Sequence, residues 1–263
     1  MRYFLSKALS IFIPVRKWRH SVRGFINNFQ IENLFVQKKE YDLIFSLGEA
    51  CFTAEWLKVF GQRKFSAPFD WVYGGTFDRR IEAFIDEFSH YFDREDLEFI
   101  DEKTGNGAKL YRNNRTGLMY VHDFWGSVDF DSEYLLVNKK YKRRCDRIID
   151  CINGGGRVLC IYAEQVWKTP DNLPDPRTFS SESDIVNLTN RLNKKYNDQI
   201  DLIYFKINKN ISPDKLNTIY KDKNLTIVEY HGALGGNAMP GDENIERIIM
   251  KSFLNFLYYA RSK

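Results

Sequence analysis

The chain has 263 residues, 43% of them hydrophobic and 16% aromatic, which is enough apolar material for a sizeable core and excludes global disorder. Its 39 basic and 35 acidic residues leave a formal net charge of +4, too even a balance for a strongly basic nucleic-acid-binding surface. Four cysteines without a CxxC pair favour a reducing, cytoplasmic compartment over a disulfide framework.

The basic excess is concentrated in residues 1–30, which contain no Asp or Glu. Apolar residues from Phe4 to Ile13 fall on one helical stripe, and Pro14 separates them from a second basic stretch around Trp18. This basic amphipathic pattern predicts contact with an anionic membrane at its inner, cytoplasmic face. The alternative is a helix that packs on the domain and keeps a solvated basic face. No apolar run is long enough to span a bilayer.

From residue 41 onward, short apolar runs alternate with stretches of helical spacing. The runs that predict buried strands are Asp42–Leu47, Arg157–Ala163, Ile200–Ile207 and Leu225–Tyr230. The predicted helices are Cys51–Phe60, Thr76–Phe92, Glu133–Cys151, Ser183–Tyr196, Pro213–Tyr220 and Glu243–Ala260.

This alternation predicts right-handed crossovers and a parallel sheet. We therefore expect residues 41–263 to form a single α/β domain, with a mainly parallel sheet covered by helices on both faces. Such a three-layer domain is Rossmann-like in the broad sense. Turn residues between Ala108–Arg112 and Leu118–Phe124 predict a β-hairpin inserted beside it. Ligands bind such sheets beyond the carboxyl ends of the strands.

The first candidate site is FSLGEACF, Phe45 to Phe52, where strand, glycine turn and helix start follow one another. A thiol in the first helical turn feels the unpaired N–H groups there, which favour the thiolate and an oxyanion. Cys51 is therefore a candidate nucleophile, and Gly48 and Glu49 are candidate substrate-binding residues. A structural, buried Cys51 is the alternative. The spacing matches neither GxGxxG nor a Walker loop, and no cofactor is expected.

The second is SAPFDW, Ser66 to Trp71, in which Asp70 stands between two aromatic residues of a loop. Asp70 is a candidate for orienting a catalytic base, and Phe69 and Trp71 are candidates for lining a ligand site. The alternative is an Asx-type turn whose aromatic neighbours fill the core.

The third is YVHDFW, Tyr120 to Trp125, which supplies His122 as a candidate base for Cys51. On a strand, Asp123 points to the opposite face and is kept as a substrate-binding candidate. His231, just after a core strand, is the rival base. No His, Cys or Asp pair has the spacing of zinc ligands, so no metal is expected.

A fourth pattern is KYKRRCDR, Lys140 to Arg147, on a predicted helix. It is typical of a solvated basic face, with contact to phosphate or anionic lipid as the alternative.

At these residues the chain resembles a bacterial family described as papain-like cysteine peptidases of unestablished function. The resemblance rests on FSLGEACFTAEWLK, FSAPFDWVYG, VHDF and KYKRRCDRII with the strand RVLCIY, and is strongest from Tyr41 to Tyr162. It implies Cys51 as nucleophile and His122 as its base. It also implies a helical half carrying the cysteine and a barrel half carrying the histidine, unlike the parallel sheet that the residue pattern predicts.

Three functions remain open from the sequence. The first is a cysteine-dependent hydrolase or acyl-transfer enzyme acting on a small molecule, peptide or glycan, with Asp70 holding the imidazole of His122. The second is a transferase or modifying enzyme of bacterial envelope glycans in capsule or lipopolysaccharide assembly, since the basic leader resembles those of such enzymes. The third is a non-catalytic binding domain with a structural Cys51.

Overall fold

The computed structural model describes residues 39–49, 51–101, 107–164 and 180–232, together with Met250, Phe253 and the backbone of residues 258–260. The segment 1–30 lies outside these residues, so its contact with a membrane stays a prediction. Within the described residues, no helix combines the length and the apolar character that crossing a bilayer requires.

Strands and helices alternate in the described part of the chain much as the sequence predicts. The strands are β1 (Lys39–Tyr41), β2 (Leu43–Ser46), β3 (Val72–Gly74), β4 (Leu97–Asp101), β5 (Lys109–Asn113), β6 (Leu118–Phe124), β7 (Val158–Ala163), β8 (Ile200–Ile207), β9 (Asn217–Lys221), β10 (Leu225–Tyr230) and β11 (Tyr258–Ala260). The helices of the same described residues are α1 (Cys51–Val59), α2 (Phe77–Ile85), α3 (Phe130–Asn153) and α4 (Glu182–Lys195), with a 3-10 turn at Arg94–Asp96.

The central sheet has five strands in the order β2-β7-β8-β10-β9. The first four pair in parallel, with Leu43 opposite Val158 and Val158 opposite Ile200. Strand β10 continues in parallel with β8, and β9 closes the edge antiparallel to β10. The predicted parallel pairing of the four apolar runs is therefore confirmed, and the described residues do not divide into a helical half and a barrel half.

The four parallel strands follow one another across the sheet in chain order. A doubly wound sheet instead reverses its strand order at a switch point, where ligands bind. The protein is thus an α/β protein with a mainly parallel central sheet, but its described strands lack that reversal.

A second sheet holds four antiparallel strands in the order β3-β6-β5-β4. Strands β5 and β6 form the predicted hairpin, with Arg112 opposite Met119. Strand β3 extends it on the other side, with Val72 opposite Tyr120. The hairpin prediction is confirmed, and the insertion proves larger than expected. A further parallel pair joins β1 to β11.

Three helix predictions were wrong in part. Residues Asn217–Lys221 form strand β9, not a helix, because they pair with β10 and pack Ile219 and Tyr220 against the core. Helix α2 ends at Ile85 instead of Phe92, since Glu87 and Phe88 take positive φ values of 54° and 61°. Of the predicted closing helix, Met250 and Phe253 are helical, whereas Tyr258–Ala260 is strand.

Candidate functional site

Cys51 is the first residue of α1, directly beyond the carboxyl end of β2. Gly48 makes this turn possible, because a Cβ on it would lie 2.4 Å from Oγ1 of Thr53 in the first turn of α1. The Gly48 amide donates to Oγ of the buried Ser46 over 3.0 Å. The sequence thus places a thiol where the N–H groups of a helix start lack intrahelical partners.

The environment of the Cys51 thiol opposes the expected thiolate. The side chain is half-buried, and burial is the largest cause that raises its pKa above the ordinary 9.0. The charge of Glu55, one turn further along α1, raises the pKa as well, and a hydrogen bond from the main chain of Cys51 lowers it. Burial and the charge of Glu55 thus oppose the thiolate that the position at a helix start favours.

The other cysteines differ from Cys51 in position and exposure. Cys145 on α3 and Cys160 on β7 are buried, and burial raises the pKa of both thiols. Cys151 is only half-buried, near the end of α3. Cys51 alone of the four begins a helix at the edge of the central sheet.

Asp70 is buried, with a side chain only 1% exposed. Its Oδ2 accepts hydrogen bonds from the Ala67 amide at 2.9 Å and from Nη1 of Arg63 at 3.3 Å. Its Oδ1 has no hydrogen-bond partner in the described part of the chain. Burial raises the pKa of Asp70 to about 6, although the Ala67 hydrogen bond and the charges of Arg63 and Arg144 lower it. The Asp70 side chain thus accepts from an amide three residues earlier, not two residues later as in the predicted Asx-type turn, and its role in orienting a base stays a prediction.

The two aromatic neighbours of Asp70 lie in different surroundings. Phe69 is 0% exposed and packs against Phe88 and Tyr91, with ring centroids 5.8 Å and 5.4 Å away. Phe69 therefore fills the core, whereas the sequence suggested that it lines a ligand site. Trp71 is half-buried and meets the His122 ring edge to face, 6.4 Å between centroids.

His122 and Asp123 point to opposite faces of β6, as predicted. His122 is exposed, while Asp123 is buried, accepts from the Tyr141 hydroxyl at 2.7 Å and pairs with Lys140. Partial burial lowers the pKa of His122 below 6.5, the charge of Asp123 raises it and that of Lys140 lowers it. The imidazole is consequently neutral at pH 7 and able to accept a proton.

The structure brings the predicted residues to one region without forming a triad. In the described residues no hydrogen bond joins Cys51 to His122, or Asp70 to His122. Trp71 instead links the Asp70 loop to His122, and the charge of Glu55 links Cys51 electrostatically to Asp70. The cysteine lies on helix α1, and the histidine lies on strand β6 of the antiparallel sheet.

Two carboxylates occupy the carboxyl edge of the central sheet. Glu49 follows β2, and its Oε1 accepts from the Tyr162 hydroxyl at 2.9 Å. Glu164 follows β7, is 1% exposed, and accepts from the Tyr204 hydroxyl at 2.9 Å and the Ile207 amide at 2.7 Å. Burial raises the pKa of Glu164 to about 7. Sequence reasoning singled out Glu49 and missed Glu164, whose only signal was its place after a buried strand.

His231 follows β10 at this same edge, as predicted. Its Nδ1 is buried and has no hydrogen-bond partner among the described residues. No contact between His231 and Cys51 supports it as the base in this structure.

Sequence reasoning also missed Arg80, which is 0% exposed on α2. Its guanidinium donates to the main-chain oxygens of Gly75 at 3.1 Å and Glu49 at 3.2 Å, and also to that of Gly74. Its Cζ lies 5.2 Å from the centre of the Phe69 ring. Arg80 therefore ties the turn before Cys51 to the SAPFDW loop. The available signal was a charge at the apolar face of α2, three residues after Phe77.

The fold and site together define an α/β protein with a half-buried cysteine at the start of a helix beside a parallel sheet. A family described as "Putative papain-like cysteine peptidase (DUF1796)" matches residues 42–206, more than half of the chain. The protein belongs to this family. Comparison with curated proteins and with solved structures gives no significant match.

Among the described residues, no three or more His, Cys, Asp or Glu side chains are grouped so as to hold a metal ion. The groups available for chemistry at the site are a thiol, an imidazole, carboxyls and guanidinium groups.

Proposed function

We propose that the protein is a cysteine-dependent hydrolase or acyl-transfer enzyme in which Cys51 is the nucleophile. The observation that carries this is the position of Cys51: a half-buried thiol on the first residue of a helix, directly after a parallel strand. Such a position offers main-chain N–H groups to a developing oxyanion. Membership of a family named for cysteine peptidases supports the same class of reaction.

The proposed first step needs a base, because burial keeps the Cys51 thiol protonated. His122 is neutral at pH 7 and takes the thiol proton while the sulfur forms a bond to the acyl carbon. The carbonyl electron pair moves to oxygen, which the N–H groups of Cys51 and Phe52 stabilise. Collapse of this intermediate expels the leaving group with the proton from His122 and leaves a thioester, which water or another acceptor then cleaves.

Cys51 and His122 are not hydrogen-bonded in the free protein, so the substrate-bound state must bring them closer. Catalytic hydrogen bonds are often long or poorly aligned without substrate. Trp71, which contacts the His122 ring, is the residue that holds the imidazole on this side of the site. Asp70 is bonded to Ala67 and Arg63 and shapes the loop that carries Trp71.

We also propose that helices cover both faces of the central sheet, in the three-layer arrangement. Alternate residues of β2 support this, since Leu43 and Phe45 belong to a core cluster shared with α2, α3 and α4. Ile44 belongs to a second cluster, shared with Trp56 of α1 and with Phe253. The carboxyl edge of the sheet then forms one wall of the site.

Alkylation kinetics test the role of Cys51. With iodoacetamide and peptide mapping, we expect Cys51 to react faster than the buried Cys145 and Cys160. Because burial raises the pKa of Cys51, its rate should still increase with pH above 9. His122→Ala should slow acylation of Cys51 by an activated acyl ester at pH 7 to 8, because the base is needed once the substrate is bound.

The matched control is His90→Ala, since His90 is exposed and pairs with Asp93. It should leave the acylation rate unchanged. If His231→Ala slows acylation and His122→Ala does not, His231 is the base. If Cys51 is alkylated no faster than the two buried cysteines, it is not the nucleophile.

A further inference from the structure

Besides the buried Arg80 over Phe69, three arginines of the described residues lie over aromatic rings in and beside the SAPFDW loop and on α3. We call this set the arginine–aromatic wall. The pairs are Arg63 over Trp71 at 5.4 Å, Arg144 over Tyr141 at 5.3 Å and Arg147 over Phe65 at 5.1 Å, each from Cζ to the ring centre.

A solvated basic helix does not need this arrangement. Arg143 on the same helix is exposed, whereas Arg144 is half-buried and its Nη1 is inaccessible to solvent. A guanidinium stacked on a ring keeps its N–H edge available for an anion, and it carries weaker hydration than an ammonium group. Within the KYKRR motif, Arg143 is thus an exposed charge, whereas Arg144 is packed against the protein.

The wall carries an unused donor and an unused acceptor. Nη1 of Arg144 and Oδ1 of Asp70 are both buried and lack hydrogen-bond partners in the part of the chain that the structure describes. Buried polar groups are nearly always paired, and an unpaired one costs free energy. Asp70 is the carboxylate hydrogen-bonded to the wall, through Arg63. The three guanidinium groups therefore outnumber the two acids that act here, Asp70 and Glu55.

The wall lies next to the candidate nucleophile. Arg80 donates to the main-chain oxygen of Glu49, two residues before Cys51, at 3.2 Å, and its Cζ lies 5.2 Å from the ring centre of Phe69, next to Asp70 in the SAPFDW loop. The charge of Glu55, one turn from Cys51 on α1, raises the pKa of both Cys51 and Asp70. The charge of Arg144 acts on the same Asp70 carboxyl and lowers its pKa. Asp70 is thus the group that connects the thiol side of the site with the arginines of the wall.

We propose that the arginine–aromatic wall binds an anionic group, a carboxylate or a phosphate, of the acyl substrate that Cys51 attacks. This rests on the proposed function, since it names the chemistry of that enzyme's substrate. Arg63 and Arg144, both half-buried, donate guanidinium N–H groups to the anion. Trp71 and Tyr141 shield the contact from water, which strengthens it.

The test compares two reagents of similar size at Cys51 in the full-length protein. Iodoacetate is anionic and iodoacetamide neutral, and both alkylate the sulfur with loss of iodide. The rate with iodoacetate is divided by the rate with iodoacetamide, at Cys51 of the folded protein and of the urea-unfolded chain. The difference between these two ratios reports the electrostatic potential at Cys51. We expect the ratio to exceed that of the unfolded chain by a factor of about 3 or more, as one partly screened charge within the site implies.

Arg144→Gln should return the ratio to the unfolded value, and Arg144→Lys should retain part of the preference. Arg143→Gln removes the same charge from an exposed neighbour and should leave the ratio unchanged. Protection of Cys51 by sodium phosphate at lower concentrations than by acetate, at matched ionic strength, would identify the anion as phosphate-like, and the reverse order as carboxylate-like.

Two failures are distinguishable. If Cys51 reacts no faster than Cys145 with either reagent, the proposed nucleophile is wrong. If Cys51 reacts readily but shows no iodoacetate preference, or if Arg143→Gln lowers the ratio as much as Arg144→Gln, the anion site is wrong and the nucleophile stands. Thermal unfolding of each variant excludes loss of the fold as the cause.

Discussion

Replacing Arg80 by Met will lower the free energy of unfolding by about 3–5 kcal/mol, because it leaves three buried main-chain oxygens without their donor. The guanidinium is fully buried and donates to three main-chain oxygens, those of Gly74, Gly75 and Glu49. Methionine fills much of the volume but leaves these carbonyls without donors. Each unpaired buried acceptor costs about 1–3 kcal/mol, only partly relieved by relaxation.

The turn at Gly74 and Gly75 explains why the carbonyls cannot simply rotate away. Both glycines have positive φ values, 67° and 68°, which other residues rarely adopt. A Cβ on Gly74 would lie 2.9 Å from the Gly117 carbonyl oxygen. The turn is therefore held between Arg80 and the β5–β6 hairpin.

Urea unfolding of Arg80→Met beside Arg79→Met measures the effect. Arg79 is exposed and donates to the Arg115 carbonyl, so its loss should cost less than about 1 kcal/mol. Equal stability losses in the two variants would show that the buried guanidinium does not hold the turn. Arg80→Lys should fall between wild type and Arg80→Met, because an ammonium group reaches fewer of the three oxygens.

Replacing Glu164 by Gln will stabilise the protein at pH 8 by an amount on the order of 3 kcal/mol. Burial raises the pKa of this carboxyl from 4.5 to about 7 in the folded state. The folded protein therefore binds a proton between these values that the unfolded chain has released. The stability that this proton supplies is fully present below pH 4.5 and is lost as the pH rises through about 7.

A glutamine at position 164 cannot ionise, and it keeps the hydrogen bonds to Tyr204 and Ile207. Its oxygen accepts from the Ile207 amide, and its nitrogen donates to the Tyr204 hydroxyl, which turns to accept. The free energy of unfolding, measured from pH 4 to 8, should thus depend less on pH between 4.5 and 7 in the variant than in the wild type. Asp70 leaves a residual slope of the same sign, because burial raises its pKa from 3.8 to about 6.

Glu229→Gln is the matched control, the same substitution at a half-buried side chain bonded to Asn217. It should change the stability at pH 8 by less than about 0.5 kcal/mol. A Glu164→Gln variant as unstable as wild type at pH 8, with an unchanged slope, would show that Glu164 is ionised in the folded protein at little cost.

The central sheet was predictable because its strands are short apolar runs with clear turn residues, a pattern set by the local chain. The misassigned segments were those whose structure depends on a distant partner. Pro213 and Asp214 resemble a helix start, yet residues 217–221 pair with β10, and Thr218, Ile219 and Tyr220 suit a strand. Tyr258–Ala260 is similarly fixed by pairing with β1.

The sequence predicts which residues form the candidate site better than it predicts how they are arranged. The position of Cys51 follows from strand, glycine and helix in sequence, and the opposite directions of His122 and Asp123 follow from the two-residue period of β6. The separation of Cys51 and His122 depends on how two sheets pack, which no local pattern encodes. The raised pKa of Cys51 depends on burial by distant residues, and the helix start alone suggested the opposite.

Detection of the acyl-enzyme shows directly whether Cys51 is the nucleophile. The full-length protein is mixed with an activated acyl ester, quenched in acid within seconds to minutes, and analysed by intact mass and peptide mapping. We expect an acyl adduct on Cys51, a slower formation of this adduct in His122→Ala, and none at that position in Cys51→Ala. An adduct that forms equally on Cys151, or whose amount is unchanged in Cys51→Ala, would contradict it.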